Sequence, residues 1–156
     1  MKDVSVMFDD IKFNYRVGLI IEKNDQIIIE SSRVIEFSLI PGGRVKTLES
    51  TSQAIKREIK EEMGIDIDES EIVGKGLIQS FFKLDNKRYH ELFFIYKLTL
   101  SNDDTRFDNV SDNLDSETNY YQWINKNTLE ENNVLPNALK DIIDSNEFKT
   151  IIINEL

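Results

Sequence analysis

One segment constrains this 156-residue chain more than any other. From Gly43 to Ile65 it reads GRVKTLESTSQAIKREIKEEMGI, a spacing of G-x5-E-x7-R-E-I-x-E-E-x-G-I. Ser50 followed by Gln53 has the pattern of a capping box, so a helix is expected to begin at Thr51. Neither Pro nor Gly interrupts Thr51 to Met63, and Gly64 stands where a left-handed residue would close the helix. The expected element is about three and a half turns long.

On such a helix Glu58, Glu61 and Glu62 lie three and four residues apart and share a face. Three like charges placed there repel, and two of them sit near the C-terminal end, where the helix dipole disfavours anions. A bound divalent cation is the simplest compensation, because it becomes the largest local charge. Oxygen-only ligands point to a hard ion, Mg²⁺ or Mn²⁺, rather than zinc. Ala54, Ile55, Ile59 and Met63 form an apolar stripe on another face. That stripe is expected to lie on a sheet and leave the carboxylates at the edge of a groove. Arg57 is placed to pair with Glu49 and tie the preceding loop to the helix. Pro41-Gly42-Gly43 is expected to be a turn whose backbone amides approach a phosphate or a metal-bound water. A solvated Glu/Lys-rich helix would account for EIKEE alone. It would not account for the glycines, Glu49 and Arg57 in register with it, a coincidence on the order of one in a billion per position at average residue usage.

The chain has the length of one domain, residues 1–156, and its hydrophobic share of 40% is ordinary for a globular fold. It has no Cys, which excludes disulfides and thiolate chemistry. A net charge of −10 argues against a general nucleic-acid binder, which needs a basic stripe, but not against a small phosphorylated ligand. No apolar run reaches membrane-spanning length, and MKDVSVMFDD lacks the core of a signal peptide. A cytoplasmic protein without membrane partners is the expectation.

Along the chain, strands are expected at Lys2 to Met7, Lys12 to Ile21 and Gln26 to Glu30, the last two joined as a hairpin through Lys23-Asn24-Asp25. Beyond the helix, Glu71 to Leu84 and Arg88 to Leu100 form a second hairpin. Leu92 to Tyr96 is apolar on both faces, as in a strand covered on both sides. Ser101 to Asp115 is expected to be a mobile acidic loop. Asn119 to Ile124 and Phe148 to Ile153 are further strands. Asn125 or Asn127 would cap a short helix at Thr128 to Glu131, and Leu135 to Ile143 is expected to be helical with Pro136 in its first turn. This order implies a mixed sheet with helices on both sides, an α/β (α+β) fold.

The 43–65 segment resembles the signature of the Nudix hydrolases at every defined position. The resemblance implies an α/β/α sandwich with a mixed β-sheet, in agreement with the element order, and the positions of Phe37 and Trp123 extend it beyond the motif. It also implies water attack on the diphosphate bridge of a nucleoside diphosphate linked to another moiety, with Mg²⁺ (or Mn²⁺) held by Glu58, Glu61 and Glu62. The metal polarises phosphoryl oxygens and lowers the pKa of a bound water. Glu58, Glu61 and Arg57 are the catalytic candidates, with Glu49 and Gly64 structural.

In some members of the family the general base is the Glu after the Arg, here Glu58; in others it lies outside the motif. Glu117, six residues before Trp123, is the candidate for a fourth carboxylate, against the plainer reading that it is one more charge in an acidic loop. Gly42, Gly43, Arg44, Arg33 and Phe37 are the candidate substrate-binding residues, Phe37 by stacking on a base or else as a core residue. Arg16 and Arg88 are further candidate phosphate cations. His90 is read as a hydrogen-bonded structural residue. Asn137 is a weak candidate for base recognition. The resemblance favours a small-molecule nucleotide, above all a canonical or oxidised nucleoside triphosphate, since the N-terminal extension of many ADP-ribose hydrolases is lacking. ADP-ribose, nucleotide sugars and a non-catalytic nucleotide sensor are the alternatives. Homodimers are frequent in the family.

Overall fold

The computed structural model describes residues 1–156. Eight strands and one α-helix follow in the order β1 (Ser5–Phe8), β2 (Ile11–Lys23), β3 (Gln26–Ser32), β4 (Gly42–Arg44), α1 (Thr51–Met63), β5 (Ile72–Leu84), β6 (Lys87–Thr99), β7 (Asn119–Asn125) and β8 (Lys149–Asn154). One mixed sheet runs β7-β3-β2-β6-β5-β8, with β1 and β4 pairing additionally to β2. The β2–β6 and β5–β8 pairs are parallel, and the others antiparallel.

Strand β2 is the spine, because it is covered on both faces. Val17, Leu19 and Ile21 point toward α1 and join Ala54, Ile55 and Ile59 in one core. Ile20 points the other way, into a second core with Ile27, Ile29, Ile78, Phe93 and Ile95. The same alternation governs β3, where Ile28 faces α1 and its neighbours Ile27 and Ile29 do not. In β5 the register shifts between Gly74 and Gly76. Ile72 therefore lies in the first core and Ile78 in the second, although both are even-numbered.

Helix α1 matches the expected bounds. Ser50 accepts from the Gln53 amide, the Gln53 side chain accepts from the Ser50 amide, and Gly64 closes the helix at φ 72°. No second α-helix lies on the opposite face. The segment expected to be helical from Leu135 to Ile143 is instead a 3-10 turn at Asn137–Asp141. It still buries Leu139, Ile142 and Ile143, and the Leu139–Ile142 spacing of three keeps to one face in either helix type. Bounded by Pro136 and the polar Asp144-Ser145-Asn146, it is too short for α-helical nucleation to be repaid. The helix expected at Thr128 to Glu131 is likewise a 3-10 turn at Lys126–Thr128, capped by Asn125. The first strand begins later than expected, at Ser5, with Asp3 making only an isolated bridge to Lys46.

The acidic stretch from Ser101 to Asp115, expected to be mobile, is anchored to the rest of the fold. Phe107 is fully buried in the α1-side core. Arg106 donates to Asp104 and to Glu71 at 2.7 Å each. Replacing Phe107 by Ala is expected to cost about 3–5 kcal/mol of stability through the cavity it leaves. Urea unfolding checks this, and a loss below about 1 kcal/mol would mean that the stretch is not part of the core.

Candidate active site

The site forms where α1 meets β4 and the paired strands β3 and β7. The expected turn at Pro41-Gly42-Gly43 is in fact an edge strand, with Gly42 opposite Gly18 and Gly43 opposite Val17. Glycine permits this approach: a Cβ on Gly42 would sit 2.1 Å from the Val17 carbonyl oxygen. Gly43 faces α1, and a Cβ there would sit 2.4 Å from Oε1 of Glu58. The space that receives the Glu58 carboxylate is therefore the side chain Gly43 lacks.

Arg57 organises the acidic groups around it. Its Nε donates to Glu49 Oε2 at 2.7 Å, and Nη2 donates to Glu49 Oε1 and to the Arg44 carbonyl, each at 3.0 Å. Its Nη1 donates to Glu58 Oε1 at 2.8 Å and to Glu61 Oε2 at 3.2 Å. A guanidinium has five N–H donors, so all are used. The expected Glu49–Arg57 pair is present, and the Lys46 amide completes it at 3.0 Å on Glu49 Oε1. The Glu49 side chain is only 6% exposed. Its hydrogen bond to Arg57 nonetheless holds the carboxyl below the usual range.

Glu62 lies on the side away from Arg57. The Tyr121 hydroxyl donates to its Oε2 at 3.1 Å. Opposite Tyr121 on the neighbouring strand stands Glu30. Both amide side chains beside it donate to one of its oxygens, Asn119 at 2.7 Å and Asn113 at 3.2 Å, both to Oε2. No Lys or Arg forms an ion pair with Glu30 or Glu62, whereas Glu58 and Glu61 share Arg57. Burial raises the Glu58 carboxyl, against the opposing pull of Arg57. Burial, then the charges of Glu30 and Glu58, push Glu62 up from 4.5 to about 8.

As the side chains stand, no three acidic or imidazole groups converge on a common point, and Glu58 and Glu61 are turned onto Arg57. The donor set nevertheless fits a hard divalent cation. It is all carboxylate oxygen, it carries more negative charge than its one arginine offsets, and Gly43 leaves the space that admits Glu58.

The other expected residues lie outside this hydrogen-bonded cluster. Glu117 is exposed and forms no hydrogen bond or ion pair, in a bend just before β7. Arg33 pairs with Asp112 at 3.1 Å and lies over the Tyr120 ring. Arg44 lends its carbonyl to Arg57, while its guanidinium lies 3.6 Å from Asp3. Arg16 approaches Glu91 at 3.7 Å over the Phe93 ring, and Arg88 is engaged by Asp10 at 3.0 and 2.9 Å. Phe37 is 40% exposed, which excludes the core alternative. His90 contacts Gln79 at 3.2 Å between the edges of Phe13 and Phe81. Asn137 lines a cavity of about 260 Å³ with Lys126, Leu129 and Lys140, and none of the Glu58–Glu62 carboxylates reaches it.

Sequence reading missed Glu30, Asn113, Asn119 and Tyr121. The available signal was parity: Glu30 shares a strand face with Ile28, and both are even-numbered in an otherwise apolar run.

The family description "NUDIX domain" matches residues 12–144. No curated protein matches in sequence. Among solved structures, a MutT mutator protein from Bacillus halodurans superposes with a TM-score of 0.67 at 17% identity, covering 91% of both chains. A MutT NUDIX hydrolase from Burkholderia pseudomallei gives a TM-score of 0.56 at 19% identity, over 72% of this chain and 83% of its own. The E. coli dihydroneopterin triphosphate pyrophosphohydrolase gives 0.55 at 17% identity, over 81% of this chain and 90% of its own.

The raised carboxyl of Glu62 has a consequence for stability without metal. Between its ordinary value of 4.5 and about 8, folding takes up a proton, so stability falls as pH rises through that window. Thermal unfolding of EDTA-treated protein is expected to show this fall, and Glu62→Gln to flatten it. A slope unchanged by the substitution would contradict the assignment.

Proposed function

The chain belongs to the NUDIX domain family of hydrolases, and on that premise we propose that it is a divalent-cation-dependent pyrophosphohydrolase of nucleotides. The substrate is a nucleoside diphosphate linked to another moiety, and a canonical or oxidised nucleoside triphosphate is the favoured class. The observation that carries this reading is the arrangement around Arg57, where one guanidinium positions Glu49, Glu58 and Glu61 beside Glu62 at the Gly43 cradle. A nucleoside triphosphate, canonical or oxidised, is favoured by the fold shared with the MutT proteins. The name of the E. coli neighbour, a triphosphate pyrophosphohydrolase, is consistent with that class.

Glu58, Glu61 and Glu62 are the residues that would hold Mg²⁺ or Mn²⁺. The ion would neutralise charge developing on the phosphoryl oxygens and acidify the attacking water. The protein's own part is positional. Arg57 keeps Glu58 and Glu61 from splaying apart and ties them to the loop after β4 through Glu49. Glu58, its carboxyl raised by burial, is proposed to accept the proton of the attacking water as the new O–P bond forms and the bridging P–O bond breaks. Arg44, Arg33, Phe37 and Glu117 are proposed to meet the substrate from the surrounding loops, Phe37 as an exposed stacking surface. Small-molecule nucleotides are the proposed partners.

The test is product release from a panel of canonical and oxidised triphosphates, ADP-ribose, nucleotide sugars and dinucleoside polyphosphates, with Mg²⁺ and with Mn²⁺. Metal-dependent turnover is expected, with Glu61→Gln lowering kcat by about a hundredfold or more, or roughly 2.7 kcal/mol of transition-state stabilisation. Turnover that ignores both the metal and the substitution would refute the reading. Tight nucleotide binding without hydrolysis in either protein would favour a sensor.

A further inference from the structure

We propose that Glu30, on β3, is a fourth carboxylate of the cation site, acting together with Glu62 on the side that Arg57 does not reach. This inference rests on the reading of the site as cation-dependent.

The acidic cluster has two unlike halves. In one, Glu49, Glu58 and Glu61 are all neutralised by a single arginine that spends every donor on them and on the Arg44 carbonyl. In the other, the Tyr121 hydroxyl donates to Glu62 and feels the charge of Glu30 across the β3–β7 pair, and neither carboxylate forms an ion pair with a cationic side chain. One phenolic proton cannot satisfy two carboxylates. Like charges held together in a partly desolvated position oppose folding unless a proton or a cation neutralises one of them.

The support of Glu30 is also that of a positioned ligand. Asn113 and Asn119 both donate to the same oxygen, Oε2, which fixes the carboxylate plane and spends both amide donors on one side of it. Asn113 is itself 5% exposed, so this is a built contact rather than a surface encounter. Donation from a neighbouring shell to one oxygen of a carboxylate is how metal-binding proteins orient their acidic ligands. If Glu30 only linked two asparagines, a neutral Gln would accept the same hydrogen bonds without placing a charge beside Glu62. The position also follows from the fold. Strand parity turns Glu30 toward α1 together with Ile28, and the β3–β7 register sets it opposite Tyr121. Glu117, by contrast, is exposed and makes no hydrogen bond, so no comparable support holds it in place.

The experiment measures Mn²⁺ binding to the EDTA-treated chain by isothermal titration calorimetry and electron paramagnetic resonance, for the unmodified protein, Glu30→Gln, Glu30→Asp and Glu62→Gln. Glu30→Gln is expected to weaken Mn²⁺ binding by roughly tenfold or more and to shrink the Mn²⁺-induced rise in unfolding temperature, with Glu30→Asp recovering part of the loss. Mn²⁺ affinity within about twofold of the unmodified protein in Glu30→Gln, alongside a clear loss in Glu62→Gln, would overturn the role of Glu30 and leave the cation site standing. No loss in either variant would overturn the cation reading itself. Should Glu30→Gln not fold, Asn119→Ala decides by the same criterion, because it removes the shorter of the two hydrogen bonds that orient the carboxylate and keeps the carboxylate itself: weaker Mn²⁺ binding supports the role, and unchanged binding overturns it.

Discussion

The half of the site built on Glu49, Glu58 and Glu61 depends on Arg57 having no donor to spare. Five hydrogen bonds from one planar group join the loop after β4, the buried Glu49 and two carboxylates of α1. A lysine at this position would offer a compact point charge and could not serve these acceptors in the same fixed geometry. Because Glu49 is buried and held by Arg57 and the Lys46 amide together, the loop cannot move away from the helix without stranding a charge. The position of Glu58 then follows. One of its oxygens is held by Arg57, and the carboxylate fills the space left by Gly43.

The sheet supplies what the helix cannot. Helix α1 presents its acidic edge to the end of β3 and β7, where strand alternation delivers Glu30, Asn119 and Tyr121 onto the same face. The two-sided burial of β2 fixes this geometry, since it decides which parity faces α1. Fold and site are therefore parts of one constraint. The apolar residues that seat the helix also set the height at which its glutamates meet the strands.

Much of this could be read from the sequence. The bounds and caps of α1, the Glu49–Arg57 pair and the clustering of three glutamates are local features, each fixed by spacings within one segment. The central strands were legible to within about two residues, because their alternation is strong. What escaped was set by distant partners. The Pro41–Gly43 stretch has the composition of a turn, but its pairing to β2 makes it a strand. The 101–115 stretch looks mobile by polarity alone, yet Phe107 and Arg106 anchor it. Parity alone put Glu30 on the face of Ile28, but which face meets α1 is set by distant packing that no local pattern states. The Leu135 to Ile143 segment has helical spacing but too little length for an α-helix between its polar and proline boundaries.

The most direct test of the central claim is hydrolysis of a nucleoside triphosphate in ¹⁸O-labelled water with Mg²⁺, followed by mass spectrometry of the products. Attack on the diphosphate bridge next to the nucleoside predicts nucleoside monophosphate and pyrophosphate, with a single ¹⁸O in one of the two and no turnover when the metal is chelated. Release of orthophosphate and nucleoside diphosphate, or turnover indifferent to chelation, would contradict the account.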